Sequence, residues 1–312
     1  TVAIVSDDRI IKLEDLDRLQ KAAAAMRLNS NQQILEIIPQ NYLIDGQGGI
    51  IDPLGMNGVK LESSMHVIIA GTPTIRQIDN VLQRLDISPL AYQPSILASA
   101  EAVSSKQQRE MGVIVLDFGA ETTGLVIYDE GHPVWTRVIP AGSVNISRDL
   151  VHALQVNLDI AEKLKLDYQD IVKNPGSEID LNSYGLDRRV ERQLVIDVVS
   201  SRVEEIFSLV SEEIRLSRMT SQLSGGAILT GGGSGLYGID ELARRCIKLP
   251  VKISGPENIV GIVDQVNDPS MSSGIGVTLK GVDLEDYHQG GVNSLIGSAM
   301  DSLSGIFKSF WR

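Results

Sequence analysis

The stretch Val113-Ile-Val-Leu-Asp-Phe-Gly-Ala-Glu-Thr-Thr-Gly-Leu-Val-Ile-Tyr128 constrains this chain more than any other. It reads as a buried β-strand, a tight turn built on Asp117 and Gly119, and a second strand starting at Thr122. Such a turn leaves backbone N–H groups and two hydroxyls, those of Thr122 and Thr123, facing one concave spot where phosphate oxygens can accept them. Asp117 ends a strand otherwise free of charge, a place from which a carboxylate can hold a metal-bound water. The alternative is a β-hairpin whose Gly and Thr residues only make the turn, and the segment alone leaves both readings open.

At 312 residues the chain is long enough for two domains with sizeable cores. Its formal net charge of −12 and the lack of a basic patch argue against a nucleic-acid surface. One cysteine, Cys246, leaves no internal disulfide and fits a reducing compartment. His66, His132, His152 and His288 have no partner at metal-ligand spacing, which argues against a zinc site. No uninterrupted apolar run reaches ~18 residues. The residues Thr1-Val-Ala-Ile-Val5 read as a strand already under way, so the expectation is a fragment whose N-terminal part precedes Thr1.

Residues 12–27 read as a helix with Leu13, Leu16 and Leu19 on one face. Strands are expected at Gln33–Ile38 and Val59–Ala70, joined by a loop over 45–58. Thr72-Pro73 reads as an N-cap and first-turn proline opening a helix to about Leu85. A helix near Pro94–Val103 leads into the Asp117 strand pair. A turn at Glu130-Gly131 then sends the chain back through Val134–Pro140. Residues 143–218 read as mostly helical, with Val190, Leu194, Val198, Val203, Ile206, Val210 and Ile214 as the packing stripe of the longest helix. A short buried strand, Ala227–Thr230, runs into Gly231-Gly-Gly-Ser-Gly-Leu-Tyr-Gly238 and a helix. A strand at Pro250–Ser254, a helix at Met271–Lys280 and a polar linker over 283–291 complete the order.

Three consecutive glycines after a strand let backbone approach a flat ligand with no Cβ in the way. The same segment holds Gly233-x-Gly235-x-x-Gly238, with Glu257 roughly twenty residues further on, a formal match to the dinucleotide fingerprint. Against that reading, little chain remains after Glu257 to complete a doubly wound sheet, and the Asp117 turn is left without a role. An actin-like reading uses both turns.

In residues 292–312, Val292, Leu295, Ile296, Ala299, Met300, Leu303, Ile306, Phe307, Phe310 and Trp311 fall on one face of a helix. The pattern suits a membrane interface, with Trp311 at the headgroup boundary; the alternative is a terminal helix docked on its own domain. Lys308 and Arg312 add about 1 kcal/mol each near an anionic leaflet. Asp301 partly offsets them, and apolar side chains at ~1–2 kcal/mol each outweigh them. Binding through the apolar face, only weakly dependent on salt, is therefore expected.

In this order the elements resemble the bacterial FtsA family of cell-division proteins, actin-family ATP-binding proteins. The likeness spans essentially the whole chain. Four segments carry it: Ile38–Gly58, Pro94–Val103 with the Asp117 turn, Ala227–Gly233, and the amphipathic C-terminus. The pilus-assembly relative PilM shares the core, but the first segment and the tail favour FtsA; a pilus scaffold would localise unchanged without residues 292–312.

The resemblance implies an α/β, actin-like (ribonuclease-H-like) fold with an FtsA-type inserted α/β subdomain over 1–83 and the remainder of a first actin-like domain over 84–111. A second actin-like domain follows over 112–282, with a helical subdomain at about 143–225. A linker over 283–291 and a C-terminal amphipathic helix over 292–312 complete it. The implied protein binds ATP and Mg²⁺, polymerises, and ties filaments of the tubulin-like FtsZ to the cytoplasmic face of the membrane at the division septum. Other division proteins are further partners.

Carried over by position, Asp117 (through a metal-bound water), Gly119, Thr122 and Thr123 form the second phosphate loop, and Gly142 lies near the phosphates. Glu162 and Lys165 face the ribose, or are a solvated helix face; Gly231, Gly232 and Gly233 meet the adenosine. Leu295, Ile296, Met300, Leu303, Ile306, Phe307, Phe310, Trp311, Lys308 and Arg312 contact lipid. No catalytic residue is implied. Two departures stand out. The family's first phosphate loop would precede Thr1, which predicts poor nucleotide binding by this chain alone. Ala120 and Glu121 replace small residues, and a carboxylate at 121 must face outward if phosphate is to bind.

Overall fold

A computed structural model describes residues 1–6, 8–219, 223–257 and 266–290, with side chains through Val282. The expected amphipathic helix over 292–312 lies outside the described residues. The chain divides into two compact units, one built mainly from Thr1–Pro94, the other from Ser95–Gly131 and Trp135–Thr278.

The first unit carries a four-stranded sheet in the order β1 (Val2–Ala3), β4 (Lys60–Gly71), β2 (Gln32–Ile44), β3 (Gln47–Ile50). Helix α1 (Leu13–Ala24) packs its Leu16 and Leu19 with Ile4, Ile11, Tyr42, Ile44 and Leu61 into one core. Leu13, expected on that face, is exposed. Asp15 is buried instead, because its carboxylate accepts the Lys12 backbone N–H at 2.9 Å and pairs with Arg18. The loop expected from residue 45 is in part a hairpin. Asp45 and Gly46 both have positive φ, the geometry of a two-residue turn that suits the twist of paired strands. The Asp45 carboxylate also receives the backbone N–H groups of Val59 and Lys60, which fixes the return of the chain. Helix α2 (Thr72–Arg84) takes Gly71, not Thr72, as its N-cap, and of its side chains only Ile75 is buried.

The second unit is built on a five-stranded sheet. Its order is β11 (Val251–Ile253), β10 (Ala227–Thr230), β5 (Val113–Phe118), β6 (Thr123–Asp129), β7 (His132–Ile139). β10 runs parallel to both β5 and β11, whereas β5 and β6 are antiparallel. Val113, Ile114, Val115 and Leu116 are fully buried, as expected of a central strand. Glu130 and Gly131, both at positive φ, turn β6 into β7.

Helices α3 (Ser95–Val103) and α4 (Lys106–Glu110) precede the sheet. The long excursion between β7 and β10 holds α5 (Ser143–Leu154), α6 (Leu158–Leu166), α7 (Tyr168–Lys173), an unforeseen hairpin of β8 (Glu178–Asp180) and β9 (Arg189–Glu191), and α8 (Arg192–Ser217). The stripe of α8 differs from the expectation at its start. Val190 belongs to β9, Leu194 is exposed, and the buried face runs Val195, Val199, Val203, Ile206, Phe207, Val210, Ile214. Phe118 and Phe207, 5.9 Å apart, join the sheet to this helix. α9 (Ile239–Ile247) links β10 to β11. α10 (Ser272–Gly290) continues through most of the stretch expected to be a polar linker.

Candidate functional site

The parallel strands β5 and β10 end side by side, with Asp117 in register with Thr230. The carboxyl ends of adjacent parallel strands are where open α/β sheets place their ligands. Here they open into a cleft of about 250 Å³ lined by Ser95, Asp117, Gly119, Thr122, Gly124, Val138, Gly231, Gly232, Pro269, Ser270 and Ser273. Two turns form its walls, the one after β5 and the one after β10.

The turn after β5 is braced from outside. Gly142 caps α5, and the first two backbone N–H groups of that helix, Ser143 and Val144, donate to the carbonyls of Gly119 and Ala120 at 2.9 Å each. Both carbonyls are thereby taken up by the helix. Gly142 must be glycine, because a Cβ there would collide with the Ala120 carbonyl and stand 2.7 Å from that of Gly119. Its role is to let the helix end approach the turn, and it is not among the lining residues. Thr123 is fully buried, with its hydroxyl donating to the Ala141 carbonyl at 2.7 Å, so of the two threonines only Thr122 lines the cleft.

The turn after β10 starts at Gly231, whose φ of +87° is reserved for glycine. A Cβ there would run into Asp117 Oδ1 and lie 2.7 Å from the Phe118 carbonyl, so the two turns touch through backbone and carboxylate alone. Gly231 N–H donates to the Pro269 carbonyl, and Thr230 Oγ1 bonds Ser272 Oγ at 2.7 Å, which ties in the segment carrying Ser270 and Ser273. Gly232 faces the cleft, whereas Gly233 is buried against Phe118.

Asp117 is the one ionisable residue among the described residues that line the cleft. Burial raises its pKa, opposed by the hydroxyl of Ser99, which donates to Oδ2 at 2.6 Å. A partly desolvated carboxylate with no basic lining residue beside it suits a cation. Among the described residues no group of three His, Cys, Asp or Glu forms a metal cluster. One carboxylate facing a cradle of backbone and hydroxyls fits Mg²⁺, which keeps its waters and is completed by substrate phosphates. The cleft is smaller than the ~300–1,000 Å³ of typical small-molecule sites, a size that suits a small polar group and not a whole nucleotide.

Glu162 and Lys165 form a separate cluster on α6. Lys165 Nζ donates to Glu162 Oε2 at 2.7 Å and Ser147 Oγ to the same oxygen at 2.5 Å. Burial would raise the Glu162 pKa, but these hydrogen bonds and the ammonium charge outweigh it and hold the group below its usual value. The Lys165 side chain is only 10% exposed whereas that of Glu162 is 42% exposed, so only Glu162 belongs to a solvated face, and neither residue lines the cleft. Sequence reasoning missed Ser95, Ser99, Gly124, Val138, Pro269, Ser270 and Ser273. Ser95 and Ser99 lie in the helix expected beside the Asp117 strand, but nothing in the sequence says which of its faces meets that strand.

The formal fingerprint Gly233-x-Gly235-x-x-Gly238 is not a dinucleotide cradle. Gly233 is filled by Phe118, and Glu257 accepts from Lys252 and Ser254. The antiparallel β5–β6 pair at the centre is also foreign to a doubly wound sheet.

Comparison with known proteins gives a consistent result. A family model described as "Cell division protein FtsA" matches residues 114–276, and one described as "SHS2 domain inserted in FTSA" matches residues 1–69. Cell division protein FtsA of Pseudomonas aeruginosa is 32% identical over 302 residues, which cover 95% of this chain and 72% of that protein. Its counterparts from Neisseria meningitidis serogroup B and Bacillus subtilis are 33% and 30% identical over 84% and 88% of this chain, and 65% and 62% of theirs. The chain thus spans roughly two thirds of the length of these relatives.

Among solved structures, the PilM-PilN type IV pilus biogenesis complex matches with a TM-score of 0.63 at 18% identity, over 87% of this chain and 74% of that one. MreB5 of Spiroplasma citri bound to ADP matches with a TM-score of 0.54 at 18% identity, over 71% and 69%. At such identities these structures speak for the fold, which is actin-like. With that fold, and with relatives at this identity over most of its length, the chain belongs to the FtsA family of cell-division proteins.

Proposed function

We propose that the cleft between the Asp117–Thr122 turn and Gly231–Gly232 binds the phosphate end of ATP with Mg²⁺. We further propose that the protein acts as a polymerising adaptor, tying FtsZ filaments to the cytoplasmic face of the membrane at the division site. The carrying observation is the meeting of those two turns at the ends of β5 and β10, where only glycine fits at Gly231. Phosphate oxygens would be received by the backbone N–H groups of Ala120 to Thr122, that of Gly119 being donated to the Thr122 carbonyl, and by the hydroxyls of Thr122, Ser95, Ser270 and Ser273. Asp117, oriented by Ser99, would hold a water of the Mg²⁺, which supplies charge neutralisation when bound. Thr123 and Gly142 shape the turn from behind. Gly232, the exposed glycine of the second turn, and the Glu162–Lys165 cluster would serve the nucleoside end, with Gly231 and Gly233 packed behind it. MreB5 of Spiroplasma citri, of the same fold, is known bound to ADP and to AMPPNP, which is in line with this reading.

The membrane arm rests on the sequence of residues 292–312. No described helix is long and apolar enough to cross a membrane. The apolar spacing of Leu295, Ile296, Met300, Leu303, Ile306, Phe307, Phe310 and Trp311, with Lys308 and Arg312 beside them, would supply attachment without one if the segment lies in the membrane interface. Co-sedimentation with vesicles, comparing wild type with a Phe307→Glu, Trp311→Glu variant, tests this arm. The wild type should pellet at low and high salt alike and the variant stay in solution. Pelleting of both, or release of the wild type by salt, would refute an apolar anchor.

A further inference from the structure

The turn that lines the cleft carries a carboxylate beside the place where phosphate charge is to be received. Glu121 directly precedes Thr122, and neighbouring Cα atoms are only ~3.8 Å apart. Its side chain nevertheless does not line the cleft. It is 68% exposed, and its Oε1 accepts from Arg148 Nη2 at 3.2 Å. Arg148 stands on α5, the helix whose first N–H groups hold the carbonyls of Gly119 and Ala120. One helix therefore fixes both the backbone of this turn and its single outward carboxylate.

We propose that Arg148 is a positioning residue for phosphate binding, holding Glu121 on the outer side of the turn and cancelling its charge there. The inference rests on the phosphate reading of the cleft. Among the described residues none that lines the cleft is basic, so no described lining side chain offsets a negative charge at position 121. Charges act over ~8 Å at physiological ionic strength, about two Cα–Cα spacings, and Glu121 is one residue from Thr122. Because both partners are exposed, the pair adds little to folding stability, and its effect falls on the binding of a polyanion.

Titration of ATP, ADP and AMP, each with Mg²⁺, into wild type, Arg148→Ala, Glu121→Ala and the double variant tests this. Arg148→Ala should weaken ATP roughly two- to fivefold at low salt, the range an exposed pair supports. The loss should be smaller for AMP and disappear near ~1 M salt. Glu121→Ala should bind at least as tightly as wild type, and adding it to Arg148→Ala should restore affinity. Wild-type affinity in Arg148→Ala overturns the inference, as does an equal loss for all three nucleotides that the double variant fails to rescue. Absence of binding to the wild type removes the phosphate reading and this inference together, whereas wild-type binding with an unaffected Arg148→Ala removes the inference alone.

Discussion

Gly231 and Asp117 define the cleft at the scale of single residues, and both make sharp predictions. Alanine at Gly231 would have to adopt a φ of +87° and place its Cβ against the Asp117 carboxylate and the Phe118 carbonyl. Gly231→Ala should therefore cost at least about 2 kcal/mol in urea denaturation. Gly235→Ala, with nothing within 4 Å of its Cβ, should stay within about 0.5 kcal/mol. Asp117 has a pKa raised by burial, so the folded state holds its proton more tightly than the unfolded chain does. The penalty is absent below the unfolded pKa and grows as pH rises through the folded one. Asp117→Asn should accordingly stabilise the nucleotide-free protein by about 1 kcal/mol at neutral pH, with the gain vanishing in acid, while abolishing Mg²⁺-dependent binding. Asp117, Gly119, Thr122 and Gly231 were legible in the sequence because tight turns at strand ends require those residue types. Thr123 shares the motif, but its side chain falls on the opposite face, an alternation that depends on β6 starting at Thr123 and not one residue earlier.

Among elements, α5 does most to set the site, since it braces the turn after β5 at one end and docks on α8. Arg202 of α8 grips Asp149 of α5 with two hydrogen bonds, the Nη2–Oδ1 bond at 2.9 Å, and also reaches Glu205. The hydrogen bond to Asp149 raises the Arg202 pKa above its ordinary value. The pair is about a quarter exposed, so solvent screens it; a double-mutant cycle on Arg202→Ala and Asp149→Ala should give a coupling of roughly 1 kcal/mol. Zero coupling would mean that α5 is held by Ile146, Leu150 and Leu154 alone. The existence and order of the helices and strands were readable from apolar spacing, but their faces were read less well. In α8 the apolar residues occupy more than one stripe, and the buried one carries Val195, Val199 and Phe207, which meets Phe118, and leaves Leu194 exposed. In the first unit, Asp45-Gly46 carried the signature of a two-residue hairpin, hidden among the other glycines of a segment that read as one loop.

For the molecule as a whole, two units with separate cores imply separable effects. Leu16→Ala in the core of the first unit should cost about 2–5 kcal/mol there and lower one unfolding transition in calorimetry. Nucleotide contacts at the cleft, which belongs to the second unit, should persist. Family membership was legible because four separated segments agreed on one order of elements, a pattern that short motifs such as Gly233-x-Gly235-x-x-Gly238 do not share. The central claim is that Mg²⁺-ATP sits between the turns after β5 and β10. Backbone amide NMR during a titration with Mg²⁺-ATP reads this most directly, since it detects even weak binding. Shifts should concentrate on Asp117–Thr122 and Gly231–Gly232 and be lost in Asp117→Asn. Shifts that spare both turns, or that persist undiminished in the variant, would contradict the account.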